Sequence, residues 1–89
     1  MKSIENLSDS LVDEYYITIG ANVKKIRESK QITQLQLSQA LNFKSVGLVS
    51  QAELYLNKQH FNIKHLVYIS YILDCNIECF FTGTSALVY

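Results

Sequence analysis

The chain has no proline, no tryptophan and only three glycines in 89 residues. Proline and glycine are the strongest helix breakers, so a sequence this poor in both predicts a mostly helical protein. No apolar run approaches the ~18 residues needed to cross a bilayer. The opening MKSIENLSDSLVDEYY also lacks the basic-then-apolar order of a secretion signal. A cytoplasmic protein with no membrane partner is expected. Cysteine is scarce too: Cys75 and Cys79 would close so short a loop that a disulfide between them would constrain little. A reduced, buried pair acting as small hydrophobes is the expectation. With 48% apolar residues in one short chain, there is room for a single domain with a single core.

An excess of either charge is missing as well, with eight basic and eight acidic residues. The distribution is uneven, however. Glu5, Asp9, Asp13 and Glu14 crowd the start of the chain against Lys2 alone. Between Gly20 and Lys64 stand Lys24, Lys25, Arg27, Lys30, Lys44, Lys58 and Lys64, opposed only by Glu28 and Glu53. A basic middle of this kind is the usual footprint of phosphate binding, or else a solvated lysine face. Catalytic signals are absent: there is no glycine-rich phosphate loop and no motif placing a nucleophile beside a base. No enzyme and no cofactor are therefore expected. His60, His65, Cys75 and Cys79 stand at spacings unlike those of zinc sites, so no metal is expected either.

Periodicity and capping residues divide the chain into five helices. The first begins near Asp9 or Ser10 and runs to about Lys30, with Leu11, Ile19, Val23 and Ile26 inward and Lys24, Lys25, Arg27 and Glu28 outward. Gly20 in its middle marks close packing or a break between an N-terminal arm and the helix proper. Thr33 caps a second helix, Gln34–Leu41, with Leu37, Ala40 and Leu41 inward. Asn42 can take the left-handed conformation that ends it. A third helix spans about Val46 to Leu54, with Val49 and Ala52 inward. After a polar loop from Tyr55 to Phe61, Asn62 caps a fourth helix whose inward face is Ile63, Leu66, Ile69, Ile72 and Leu73. Asn76 caps a short fifth, IECFF. The tail TGTSALVY is β-prone and either pairs with a second copy of itself or packs on the core.

Two short helices joined by a tight turn suit a groove of duplex DNA, one helix entering it while the other braces it against the backbone. Leu37, Ala40, Val49 and Ala52 would form their shared interface, leaving Lys44, Ser45, Ser50 and Gln51 outward. The run IGANVKKIRESKQITQLQLSQALNF, then VSQAE, then NIKHLVYISYILDCNIECFF resembles the phage-repressor/Cro-type (XRE-like) helix-turn-helix family over about residues 17–81. The shared features are the basic first helix, Thr33-Gln34 opening the second, and Leu37-Ser38 within it. Val49-Ser50-Gln51-Ala52-Glu53 and the Leu66…Ile69…Leu73 helix followed by Ile77…Phe80-Phe81 complete them. The resemblance implies a compact, all-α, five-helix domain with an N-terminal arm over 1–16 and a tail, strand-like or extended, over 82–89. It implies double-stranded DNA as partner and a homodimer on a palindromic operator. Gln34 would lie against a phosphate at a helix N-terminus. Gln51 would reach base edges, with Ser45, Val46, Gly47 and Ser50 along the same edge. Lys44 and Lys58 would take phosphates, and Glu53 would brace the domain by pairing with a basic residue such as Arg27.

This chain departs from that pattern in four ways. The turn is one residue longer, and Asn42 stands where glycine is common. Leu54-Tyr55 replaces the usual Asn-Gly, and no arginine lies in the third helix. The last departure points to specificity through glutamine, serine and duplex shape. The six tyrosines show no stripe along any helix, which favours core edges and a dimer contact over base stacking. A second function class is a protein-interaction module, or a component of a toxin–antitoxin pair, on the same fold with little or no DNA binding.

Overall fold

A computed structural model describes residues 1–87. Its order is α1 (Leu11–Ser29), α2 (Gln34–Ala40), α3 (Gly47–Leu54) and α4 (Ile63–Ile72), followed by a 3₁₀ helix at Ile77–Phe81. Shorter 3₁₀ turns lie at Ile4–Asn6, Leu56–Lys58 and Thr84–Ala86. There is no strand among the described residues, and the domain is all-α as expected. No helix there is long and apolar enough to cross a membrane.

Local chemistry sets the helix boundaries. Thr33 and Gln36 form a reciprocal capping box at the start of α2, and Asn62 and His65 form another at the start of α4. Asn76 accepts from the Glu78 N–H and opens the last helix. Asn42 turns left-handed after α2, with φ +61°, where its short polar side chain tolerates that region better than most. Ser10 precedes α1 without a side-chain cap bond.

Ile19 and Val23 of α1 meet Leu37, Leu41, Val49 and Ala52 from the α2–α3 pair, and Phe61, Leu66, Ile69, Leu73 and Phe80 complete a single core. The chain end is tied to α1 by Asn22, whose Nδ2 donates to the carbonyls of Phe80 and Thr82, both at 2.8 Å. From there the chain runs through Gly83, at φ +89°, into the Thr84–Ala86 turn against α1. The tail therefore packs back on its own domain as far as Ala86. Val88 and Tyr89 lie outside the described residues.

Four expectations about which side faces inward are corrected. Arg27 is buried rather than outward, because Glu53 waits inside to pair with it. Ala40 is exposed at the last turn of α2, and Ser38 takes the buried place beside Leu37. Its hydroxyl is satisfied within the helix by the Gln34 carbonyl at 2.8 Å. Ile63 is exposed at the first turn of α4, ahead of the point where that helix meets the core. The cysteines are not a buried pair: both are free thiols, but Cys75 is half-buried and Cys79 exposed. Gly20 marks close packing, not a break. A Cβ there would stand 2.9 Å from the Glu53 carbonyl oxygen and nearer still to that of Ala52. Only glycine lets α1 and α3 approach this closely.

Candidate nucleic-acid interface

The placement of α3 is set at its C-terminal end by a buried hydrogen-bonded network. Arg27 Nε donates to Glu53 Oε2 at 2.7 Å and Nη2 to Oε1 at 3.0 Å, a two-pronged ion pair. Nη1 donates to the Ile32 carbonyl at 2.7 Å, and Gln34 Nε2 donates to Glu53 Oε1 at 2.9 Å. The Glu53 carboxylate thus ties α3 to α1 and α2, and the Arg27 guanidinium extends the network to the α1–α2 connection. The hydrogen bonds that Arg27 donates to Glu53 raise its pKa further above the ordinary value, against the opposing pull of burial. No buried side-chain nitrogen or oxygen among the described residues lacks a partner. Replaced by apolar residues of equal volume, such a pair often costs nothing, so its contribution here is orientation more than net stability.

The outward side of α3 is built differently. Ser45 Oγ accepts the Gly47 N–H at 3.3 Å at the start of the helix, and Ser50 Oγ donates back to the Gly47 carbonyl at 3.0 Å. These bonds gather Ser45, Gly47 and Ser50 into one contact chain. Val46 is partly exposed, and Lys44 and Ser45 are exposed in the turn before it. Gln51 is half-buried and makes no side-chain hydrogen bond to any described residue, so its amide keeps both donor and acceptor. Lys58 is exposed beyond the C-terminal end of α3, and its side chain forms no hydrogen bond or ion pair with a described residue. Gln34 is half-buried, and one of its two amide protons goes to Glu53. The sole arginine of the chain is Arg27, so no guanidinium reaches the outer surface. Leu35, Leu54 and Leu56 are exposed on and after the α2–α3 pair.

The segment after α3 holds a group of residues that sequence reasoning missed. Tyr16 stacks on His60 with ring centres 4.0 Å apart and on Tyr55 at 5.7 Å. The Tyr55 hydroxyl donates to Asp13 Oδ1 at 2.5 Å. That bond, followed by desolvation, pushes the Tyr55 pKa up to about 12. Tyr55 itself is left-handed at φ +55°, at the position where Asn-Gly was expected from the resemblance. A non-glycine residue costs roughly 1–2 kcal/mol in that region, and the Asp13 bond and Tyr16 stack are what hold it there. Asn57 and Lys58 follow at φ +53° and +59°. Apart from the tyrosines themselves, no local signal announces this cluster, because its members come from α1 and from the loop before α4. His65 at the start of α4 accepts the Asn62 N–H through Nδ1 at 3.2 Å. That acceptor role requires a neutral ring, and burial, aided by the Lys64 charge, lowers its pKa.

Among the described residues no group of three or more His, Cys, Asp and Glu side chains converges as metal ligands would. No family model matches the chain, and neither a curated protein nor a solved structure matches it.

Proposed function

We propose that this protein is a sequence-specific, DNA-binding transcriptional regulator of the repressor/Cro type, a repressor or autoregulator that binds a palindromic operator as a dimer through α3. The observation that carries the reading is the division of α3 into two sides. Its inward side is fixed to α1 and α2 through Glu53, and its outward side offers Gln51 with free hydrogen-bonding capacity beside Ser50 and Val46. A helix held so firmly from behind is what groove reading requires, since a base contact depends on placement to a fraction of an ångström. In this reading Gln51 makes a two-pronged contact to adenine, Val46 meets a thymine methyl, and Lys44 and Lys58 bind phosphates on either side. Gln34 contributes its remaining amide proton to a phosphate while its first holds Glu53.

Selection from a random duplex library at two salt concentrations tests it. Enrichment of a palindrome with half-sites about one helical turn apart is the expected outcome. Weak, salt-erased binding with no motif would reject it. One feature favours a second reading, a protein-interaction module: the exposed Leu35, Leu54 and Leu56 leave apolar surface around the α2–α3 pair, on a chain with no net charge. A toxin of a toxin–antitoxin pair is a partner of that kind. Failure of the duplex selection would direct the search there.

A further inference from the structure

Apolar residues surround α4. Leu66 and Ile69 enter the core, yet on the opposite side Ile63 is 66% exposed, Val67 48%, Tyr68 47% and Tyr71 88%. At 3.6 residues per turn these four share one outer face, with Ile63, Val67 and Tyr71 each four residues apart. A helix with apolar residues on all sides belongs inside a structure, so this outer face lacks its cover.

The charges on that face indicate what covers it. Lys64 stands near the start of the helix, its ammonium 5.8 Å from the Tyr68 ring centre. Asp74 lies exposed just past the end, where the chain turns left-handed. The Lys30 ammonium donates to its backbone carbonyl at 3.5 Å, and its carboxylate makes no hydrogen bond or ion pair to a described residue. No charged residue falls between them. Each lies five residues from Ile69, Lys64 within α4 at ~7.5 Å along the axis and Asp74 two residues past the last helical residue on the other side. A two-fold axis at the level of Ile69, with two copies of α4 running antiparallel, therefore sets Lys64 of each copy beside Asp74 of the other. The same operation sets Val67 beside Tyr71. One register thus matches charge with opposite charge and apolar with apolar, as a self-complementary interface demands.

We infer that the outer face of α4 binds a second copy of this chain, through an antiparallel α4–α4 contact with Val67 and Tyr71 at its centre and Lys64–Asp74 pairs at both ends. The inference deepens the proposed function and rests on it for its biological use, since a palindrome requires a two-fold dimer. A single helix face covers less than the ~800 Å² per partner of a standard interface. The free protein is accordingly in monomer–dimer exchange, and a duplex with two half-sites draws the pair together.

Sedimentation equilibrium of the full chain, under reducing conditions and without DNA, tests it. The wild type should show a concentration-dependent monomer–dimer equilibrium. Tyr71→Arg should weaken it about a hundredfold, as removal of two central aromatic anchors would. Lys64→Asp should weaken it about tenfold by turning two attractive pairs repulsive, and adding Asp74→Lys should restore it. Circular dichroism checks that each variant keeps its helices, as these exposed positions predict. A wild type that stays monomeric at high concentration overturns the inference and leaves the face to a different protein. A dimer indifferent to Tyr71→Arg overturns it in favour of another surface, and failure of the double variant to recover overturns the register. None of these outcomes uses DNA, so a dimer through α4 that selects no duplex would sink the regulator reading alone. A selected palindrome with an unaffected Tyr71→Arg dimer would sink only this one.

Discussion

On its inward side α3 carries Val49, Ala52 and Glu53, all buried and each held by several neighbours; on its outward side Ser50 and Gln51 are half-buried and Leu54 is exposed. The inward positions answer to Gly20 across the α1 contact and to Arg27 and Gln34 through Glu53. The outward ones answer mainly to their own helix, as the Ser50–Gly47 bond illustrates. The lesson is a separation of tasks. Under the proposed function, changes on the inside should alter stability and drag duplex binding down with it, whereas changes on the outside should alter binding while stability stays near its starting value.

The largest expected effect lies inside. Glu53→Ala leaves the Arg27 guanidinium buried without its carboxylate, and removing one partner of such a pair costs about 3–5 kcal/mol. Thermal and urea unfolding should register that loss in full. Replacing both partners, as Arg27→Met with Glu53→Leu, should return stability to within about 1 kcal/mol of wild type. Selectivity between operator-like duplexes should not return with it, because Gln34 and α3 lose the carboxylate that aligns them. Recovery of stability and selectivity together would show that α3 is aligned by packing alone.

Gly20→Ala comes next. In an ordinary helix interior this change gains up to about 1 kcal/mol. Here the new methyl meets the backbone carbonyls of Ala52 and Glu53, which cannot rotate away. The sign should reverse, to a loss of about 1–3 kcal/mol from overpacking, seen as a lower denaturation midpoint. A stabilised variant would mean that α1 and α3 separate easily and that the inward side is loosely constrained.

Much of the inside was legible from residue order. Thr33, Asn62 and Asn76 announced their caps through local chemistry, and Asn42 announced the end of α2. The pairing of Arg27 with Glu53 was implied by the resemblance alone, while the outward placement of Arg27 on helical periodicity was wrong. Periodicity assigns a charged residue to solvent unless a partner across the core is weighed against it. Ile63 was misplaced for a related reason: a helix as evenly apolar as α4 does not declare which side meets the core. The left-handed Gln31, Tyr55, Asn57, Lys58 and Asp74 carry no glycine signal. At Tyr55 the conformation is held by α1 through Asp13 and Tyr16, far away in sequence. The candidate interface residues were named from resemblance; in the fold Lys44, Ser45, Val46 and Lys58 are exposed, while Gln34, Gly47, Ser50 and Gln51 are half-buried. The internal bond of Gln34 did not show in the sequence, since it depends on where Glu53 points.

Outside, the comparison sharpens through two variants measured side by side. Under the proposed function, Gln51→Ala should lose about 1–3 kcal/mol of preference at one base pair in each half-site. Lys44→Ala should weaken every duplex alike and flatten the dependence on salt. Both should leave the unfolding midpoint nearly unchanged, because neither residue is buried. If Gln51→Ala preserved operator preference, α3 would not be the reading element.

The smallest effect sits where the two sides of α3 meet, at Tyr55. Its phenol is held protonated by the Asp13 carboxylate, with a pKa of about 12 in the fold against an ordinary value of 10.0. Because the folded value lies above the unfolded one, the fold favours the neutral phenol. The resulting stabilisation is fully present below pH 10 and is lost as pH rises from 10 to about 12. Wild type should therefore lose stability across that window faster than Tyr55→Phe, which has no phenol to ionise. Urea midpoints compared at matched pH measure the difference, and it should vanish on adding Asp13→Asn, which removes the charge that holds the proton. Parallel curves for wild type and Tyr55→Phe would show that the Asp13 bond does not hold the left-handed turn after α3. The Tyr16 stack would then have to position that segment, including Lys58, by itself.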